Sequence, residues 1–138
     1  MQKNLGHLMK KISVSLLLTL TALFAGMTKE YITPAFVAKN IKTFDIRTKG
    51  EWKQTGIIKN SIPLTFFDEK GDYNVQLFIK ELYKHIKPSE KFALICATGN
   101  RTHVVSTFLG KNGFNVIDLK DGIMGAMRKG MKLSAYKK

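Results

Sequence analysis

The chain has 138 residues, with 23 basic side chains against 10 acidic ones and a formal net charge of +13. That length has room for one domain. A single cysteine, Cys96, excludes an internal disulfide.

Lys3, Lys10 and Lys11 precede the apolar stretch Ile12 to Phe24, which is diluted only by Ser13, Ser15, Thr19 and Thr21. Thirteen residues suit the h-region of a signal peptide and fall short of the roughly 20 that span a bilayer. Residues 1–25 therefore read as a removed signal peptide, with cleavage after Ala25, or secondly as a retained N-terminal anchor. An amphipathic or buried first helix is the third reading. Either of the first two exports the domain, most simply to a bacterial periplasm. Removing residues 1–25 takes away three lysines and no acid, leaving 20 basic and 10 acidic side chains and a net charge of +10.

Such a balance favours anionic partners: a small anionic substrate, an acidic protein or a membrane surface. Nucleic acid is not expected, because lysines such as Lys39, Lys53, Lys80, Lys111 and Lys137 are spread along the chain and no nucleic-acid motif appears. Membrane contact is expected only if the leader is retained.

Residues 26–40 read as a lead-in segment containing Pro34, with a short strand or turn over Ala35 to Ala38. Ile41 to Ile46 alternates apolar and polar β-formers and predicts a strand. Thr48 to Gln54 predicts one helical turn, with Thr48 as N-cap, Glu51 at the capping-box position and Gly56 as the stop. Ile62 to Phe66 predicts a second short strand, followed by a loop through Asp68, Gly71 and Asp72.

Tyr73 to Lys87 has the clearest helical period. Val75, Phe78, Ile79, Leu82 and Ile86 recur at i, i+3, i+4, i+7 and i+11, with Asp72 or Asn74 as cap and Pro88 as terminator. Lys91 to Cys96 has the length and apolarity of a buried parallel strand. Residues 101–111 predict a helix closed by Asn112-Gly113, Phe114 to Leu119 a strand, and Gly122 to Lys129 a last short helix. Strands alternating with helices give an α/β domain of three layers, a mainly parallel sheet flanked by helices, over residues 41–133. Residues 134–138 read as a basic tail.

Cys96 then stands where an apolar strand meets a short loop, Ala97-Thr98-Gly99-Asn100, that reaches Arg101 and Thr102 at the start of a helix. Ligands of parallel sheets bind beyond the carboxyl ends of the strands, which is where this loop is expected. Backbone N–H groups from Ala97 to Arg101 and the helix dipole would surround a thiolate and an anion beside it. In an oxidising compartment an unpaired thiol points to chemistry or to deep burial.

Three segments resemble the rhodanese-like family. Asp45-Ile46-Arg47 with Glu51-Trp52 and Gly56 is similar to its N-terminal signature. Cys96-Ala97-Thr98-Gly99-Asn100-Arg101-Thr102 resembles its active-site loop. Asp121-Gly122-Ile123, with Gly130 eight residues after Gly122, resembles its C-terminal segment. The resemblance implies sulfur transfer: Cys96 is the catalytic nucleophile that becomes a persulfide, and residues 97–102 hold the substrate, with Asp45 and Arg47 in support.

It also implies a small anionic sulfur donor such as thiosulfate or polysulfide, and as acceptor a thiol, a cyanide-like nucleophile or a partner protein. No metal and no organic cofactor is required. The spacing Cys-x4-Arg is one residue shorter than the Cys-x5-Arg loop of related phosphatases, which makes a phosphatase the weaker alternative. A sulfur carrier without turnover is the nearer one. Ala97 stands where thiosulfate-using members often carry a basic residue, which gives weight to a polysulfide or protein persulfide donor. Asp121 and Ala126, in place of the family's Gly and aromatic, are expected to reshape the last helix and leave the thiol site alone.

Two roles stay open for Arg101: binding carbonyls at the strand ends, or contacting an anion. Asp45 and Arg47 suggest an ion pair bracing the loop, with Arg47 also open as a substrate contact. Trp52 reads as a packing anchor. His103 reads as a solvated helix residue in preference to a charge acting on Cys96. His7 and His85 lack partners at metal-ligand spacing, and Met124, Met127 and Met131 read as core or rim filler.

Overall fold

The computed structural model describes residues 26–138; the leader readings for residues 1–25 lie outside them. Five strands form one sheet: β1 (Met27–Tyr31), β2 (Thr43–Asp45), β3 (Ile62–Pro63), β4 (Phe92–Ile95) and β5 (Val116–Lys120). The helices are α1 (Pro34–Ala38), α2 (Lys49–Thr55), α3 (Val75–Leu82), α4 (Asn100–Lys111) and α5 (Gly122–Arg128). The strand order is β1-β5-β4-β2-β3, and every pairing is parallel.

The sheet alternates its side chains between two apolar layers, as a strand period of two requires. On one face Phe44, Phe92, Leu94 and Val116 pack against Phe78 and Leu82 of α3 and Val105 and Leu109 of α4. On the other, Ala93, Ile95, Ile117 and Leu119 meet Phe36 of α1 and Ile123 and Ala126 of α5. Each fully buried large side chain contributes about 1.5–3 kcal/mol of transfer free energy. The three-layer α/β architecture with a parallel sheet is therefore as the periodicity predicts.

Three segments differ from expectation. The lead-in is part of the sheet: Met27 to Tyr31 runs in register with Val116 to Lys120. Ala35 to Ala38, expected as a strand or turn, is helical because Thr33 caps α1 by accepting from Phe36 N at 3.0 Å and Pro34 suits its first position. The second strand shortens to Ile62–Pro63, since Pro63 offers no N–H to a ladder and is tolerated only at this sheet edge. The long helix keeps regular geometry only over Val75–Leu82. Beyond it the chain tightens through turns such as Lys84 N to Glu81 O at 3.1 Å and His85 N to Leu82 O at 3.0 Å, before Pro88. Ile86 stays buried nonetheless.

The tail is also tied down. Ile57 and Ser134 exchange backbone hydrogen bonds of 2.8 and 2.7 Å, and the Tyr136 ring lies 5.4 Å from that of Trp52. Among the described residues no helix is long and apolar enough to cross a membrane.

The strand order positions the site. From β2 the chain leads outward to β3, and from β4 it leads the opposite way to β5. The loops leaving the carboxyl ends of β2 and β4 therefore diverge and open a crevice between them, the place where parallel sheets bind ligands. Arg47 follows β2 and Cys96 follows β4.

Candidate active site

Cys96 lies one residue past β4, 1% exposed, and belongs to the core cluster that also holds Phe66 and Val105. Its backbone carbonyl accepts from Ile123 N at 2.8 Å, and that of Ala97 accepts from Met124 N at 2.9 Å. The first turn of α5 thus supplies its otherwise unpaired N–H groups to the thiol loop. Gly122 makes the approach feasible: its φ is +55°, and a Cβ there would meet the Cys96 carbonyl oxygen and lie 2.7 Å from that of Ala97. Asp121, also left-handed at φ 62°, closes the other side, since a Cβ on Gly99 would lie 3.0 Å from Asp121 N.

The expectation that Asp121 and Ala126 leave the thiol site alone is thereby corrected for Asp121. The segment from Asp121 to Met124 is the wall against which the thiol loop is moulded. The signal was the pair Asp121-Gly122, a left-handed turn at a strand end, which a reading of the helix alone passes over.

Within the loop, Gly99 adopts φ +96° and turns its N–H onto the sulfur, 3.2 Å from Sγ. Of the five N–H groups expected to surround the thiol, this is the one at hydrogen-bond distance. The Thr102 hydroxyl stands 3.6 Å from Sγ and donates to Gly99 O at 3.1 Å. With its one proton given to Gly99, the hydroxyl faces a protonated thiol as acceptor; turning its proton to a thiolate requires release of Gly99 O. Helix α4 begins directly behind, so its positive end faces the loop. Thr98 and Asn100 are exposed at the loop rim and Ala97 is half-buried, leaving the rim free for a substrate.

Arg101 is held by a carboxylate of another element and not by the carbonyls of the strand ends. Its Nη1 and Nη2 donate to Oε1 and Oε2 of Glu51 at 2.7 and 2.8 Å, a two-pronged ion pair across the crevice. Glu51 is also fixed from its own helix, because in the predicted capping box of α2 its Oε1 accepts from Thr48 N at 3.4 Å. The hydrogen bond from Arg101 is the main cause that lowers the Glu51 carboxyl from its ordinary value, partly offset by burial. The same bond raises Arg101, with smaller contributions from the charges of Glu51, Cys96 and Asp45. Glu51 was legible as a cap and a motif residue, and nothing in its spacing from Arg101, 50 residues away, marked the pair.

Asp45 and Arg47 form the expected ion pair, at 2.8 Å and essentially without exposure. Arg47 also donates to Thr55 Oγ1 and Gly56 O, each at 2.8 Å. The pair thus braces the end of α2 against β2, and its donors are engaged within the protein, so Arg47 does not face the loop as a substrate contact. Trp52 is buried as an anchor. His103 is exposed with Nδ1 3.5 Å from Asp118 Oδ2, and His85 packs edge-on against Phe44. Met124 and Met127 are close to half exposed, while Met131 packs against the α5-side core. His7 lies outside the described residues.

A sulfur at the end of a central parallel strand, capped by one N–H and followed by a helix N-terminus, is an arrangement that can support an anionic sulfur. Comparison with known proteins fits this geometry. The family profile for the rhodanese-like domain matches residues 31–129. Among solved structures, the polysulfide-sulfur transferase homodimer from Wolinella succinogenes superposes with a TM-score of 0.57 at 18% identity, over 93% of each chain.

A rhodanese-related protein from Thermoplasma volcanium gives 0.53 at 27% identity, over 74% of this chain and 94% of that one. A rhodanese-like domain protein from Staphylococcus aureus gives 0.52 at 17%, over 80% and 99%. The curated proteins contain no match. With the family profile covering most of the chain and the fold shared throughout, this protein belongs to the rhodanese-like family.

Proposed function

We propose that the protein is a single-domain sulfurtransferase working through a Cys96 persulfide. The observation that carries this reading is the sulfur itself: Cys96 at the carboxyl end of β4, with Gly99 N–H 3.2 Å from Sγ, in a six-residue Cys-x4-Arg loop. The thiolate attacks the outer sulfur of a sulfane donor. A new S–S bond to Cys96 forms as the donor's S–S bond breaks, and the donor leaves with the electron pair, as sulfite from thiosulfate or a shortened chain from polysulfide. A nucleophilic acceptor then attacks the outer sulfur of the persulfide, and Cys96 leaves as thiolate. The Gly99 N–H and the α4 dipole favour the anionic sulfur in both steps.

Polysulfide is the favoured donor. Within residues 96–102 the single cation is Arg101, and its charge is met by Glu51. A compact dianion such as thiosulfate finds no second cation there, whereas a sulfur chain needs only a terminal sulfur aligned with Sγ. The basic remainder of the surface supports attraction of anions in general. The leader composition supports export to a periplasm, with cleavage after Ala25 or retention as an anchor. The 1% exposure of Cys96 favours, as a second reading, a carrier that holds sulfur for a partner and turns over slowly with small acceptors.

Intact mass after treatment with polysulfide or thiosulfate tests the proposal. Wild type is expected to gain one sulfur atom and Cys96→Ser none. No gain with either donor sinks both sulfur readings. Loading without thiocyanate formation from cyanide selects the carrier.

A further inference from the structure

The surface beside the thiol loop carries a charge and an apolarity that the sulfur chemistry does not use. Lys120 Nζ and Lys129 Nζ stand 4.5 and 4.6 Å from the centroid of the same half-exposed Tyr31 ring. Lys129 caps the end of α5, on which Met124, Met127 and Arg128 fall on one side at i, i+3 and i+4. Met124 and Met127 are 43% and 47% exposed, and the N–H of Met124 is the one bonded to Ala97 O. The patch therefore begins at the thiol loop and runs to the carboxyl ends of β1 and β5.

Its cations are unmatched. Residues 120–138 contain five basic side chains besides Lys120 and one acid, Asp121. Ion pairs occur elsewhere, as in Lys39–Glu30, Lys42–Glu90 and Lys84–Glu81. Among the described residues none joins Lys120, Arg128 or Lys129 to a carboxylate. Two ammonium groups over one ring repel each other, and an incoming carboxylate relieves that repulsion.

We infer that Tyr31, Lys120, Met124, Met127, Arg128 and Lys129 form a docking face for an acidic partner protein that brings a cysteine thiol to the Cys96 persulfide. This rests on the sulfur-transfer reading and names the acceptor's class. The partner's thiolate attacks the outer sulfur; its new S–S bond replaces the one to Cys96, which keeps the electron pair. The occupant is a protein because exposed Met, Tyr and Arg together are the composition of a protein interface core, and a small anion gains nothing from two methionines. The surplus of cations selects an acidic one and speeds encounter.

The probes are two short peptides, each with one cysteine, flanked by glutamates in one and by glutamines in the other. Transfer from polysulfide-loaded protein is expected to favour the glutamate peptide by about tenfold or more at low ionic strength. The preference shrinks as salt is raised, and falls towards unity in Lys120→Gln/Arg128→Gln/Lys129→Gln. Equal rates for the two peptides, or a preference that survives this variant, overturn the inference.

A loading-independent arm uses the glutamate peptide with its cysteine replaced by serine, bound to untreated protein. Salt-sensitive binding lost in the variant supports the docking face even if Cys96 loads no sulfur, in which case only the sulfur reading fails. Binding of phosphatidylglycerol vesicles through the same three residues, without peptide binding, overturns it in favour of a membrane. Polysulfide loading that slows in the variant while the peptide preference persists assigns the patch to the donor and overturns it as well.

Discussion

Arg101 reaches from the first turn of α4 to Glu51 in the first turn of α2, closing both prongs of its guanidinium on one carboxylate at 2.7 and 2.8 Å. The two residues flank the crevice between the ends of β2 and β4. The pair neutralises the one cation of the thiol loop, so the loop's appetite for anions is set by a residue 50 positions away.

Replacing Glu51 with Gln keeps the shape and removes the opposing charge. Arg101 then presents its full charge to the loop, and thiosulfate, a dianion, gains most. We expect its KM to fall by about two- to fivefold, the scale of a partly exposed ion pair of about 0.5–1 kcal/mol. Cyanide, as second substrate, should keep its KM. Steady-state kinetics with both substrates check this; an unchanged or higher thiosulfate KM means that Arg101 never serves the donor.

The same pair links stability to acid. The Glu51 carboxyl is lowered below 4.5 in the folded protein, chiefly by the Arg101 hydrogen bond, so the unfolded chain takes up its proton first as pH falls. Its contribution is complete above the ordinary carboxylate value and disappears as pH falls through the lower folded value. Thermal unfolding of wild type and Glu51→Gln should therefore differ by a constant margin from about pH 7 to near 5. Below 4.5 the margin should close. A margin that widens in acid contradicts the assignment.

The sheet and the thiol loop were legible because their signals are local. The apolar run Phe92 to Ile95 ends at Cys96, and the capping box Thr48–Glu51 forms as its spacing predicts. Contacts between distant segments were not legible. Met27 to Tyr31 alternates too weakly to read as a strand, being an edge with only Met27 and Glu30 half-buried, and its pairing with β5 is a tertiary choice. The partner of Arg101 and the wall that Gly122 builds under Cys96 depend likewise on which loops the sheet order brings together.

Asp45 and Arg47 are both essentially without exposure, and Arg47 spends its donors on Asp45, Thr55 and Gly56. Arg47→Met leaves a buried carboxylate without its counter-charge, at a cost of about 3–5 kcal/mol. Asp45→Asn/Arg47→Met should recover part of that loss, since it removes the charge as well as its partner. Arg47→Lys should fall between wild type and Arg47→Met, because one ammonium cannot reach all three acceptors. Urea unfolding of the four proteins orders them; a neutral Arg47→Met would show the pair to be dispensable.

Gly122 offers the sharpest separation of scaffold from chemistry. An alanine there must hold φ near +55°, which costs about 1–2 kcal/mol for a residue with a Cβ. Its methyl also lands on the carbonyls of Cys96 and Ala97, both of which are already engaged by Ile123 and Met124. Backbone on each side leaves no flexible end to give way, so the loop must shift from α5 and lose those two hydrogen bonds, each worth about 1 kcal/mol. The Gly99 N–H, set against Asp121 by the same wall, then leaves Sγ. Gly122→Ala is expected to unfold at a lower temperature, to alkylate faster at Cys96 because the sulfur is uncovered, and yet to transfer sulfur more slowly because its anion is unsupported. Faster alkylation with undiminished transfer would mean that burial alone, and not the clamped loop, governs the reactivity of this thiol.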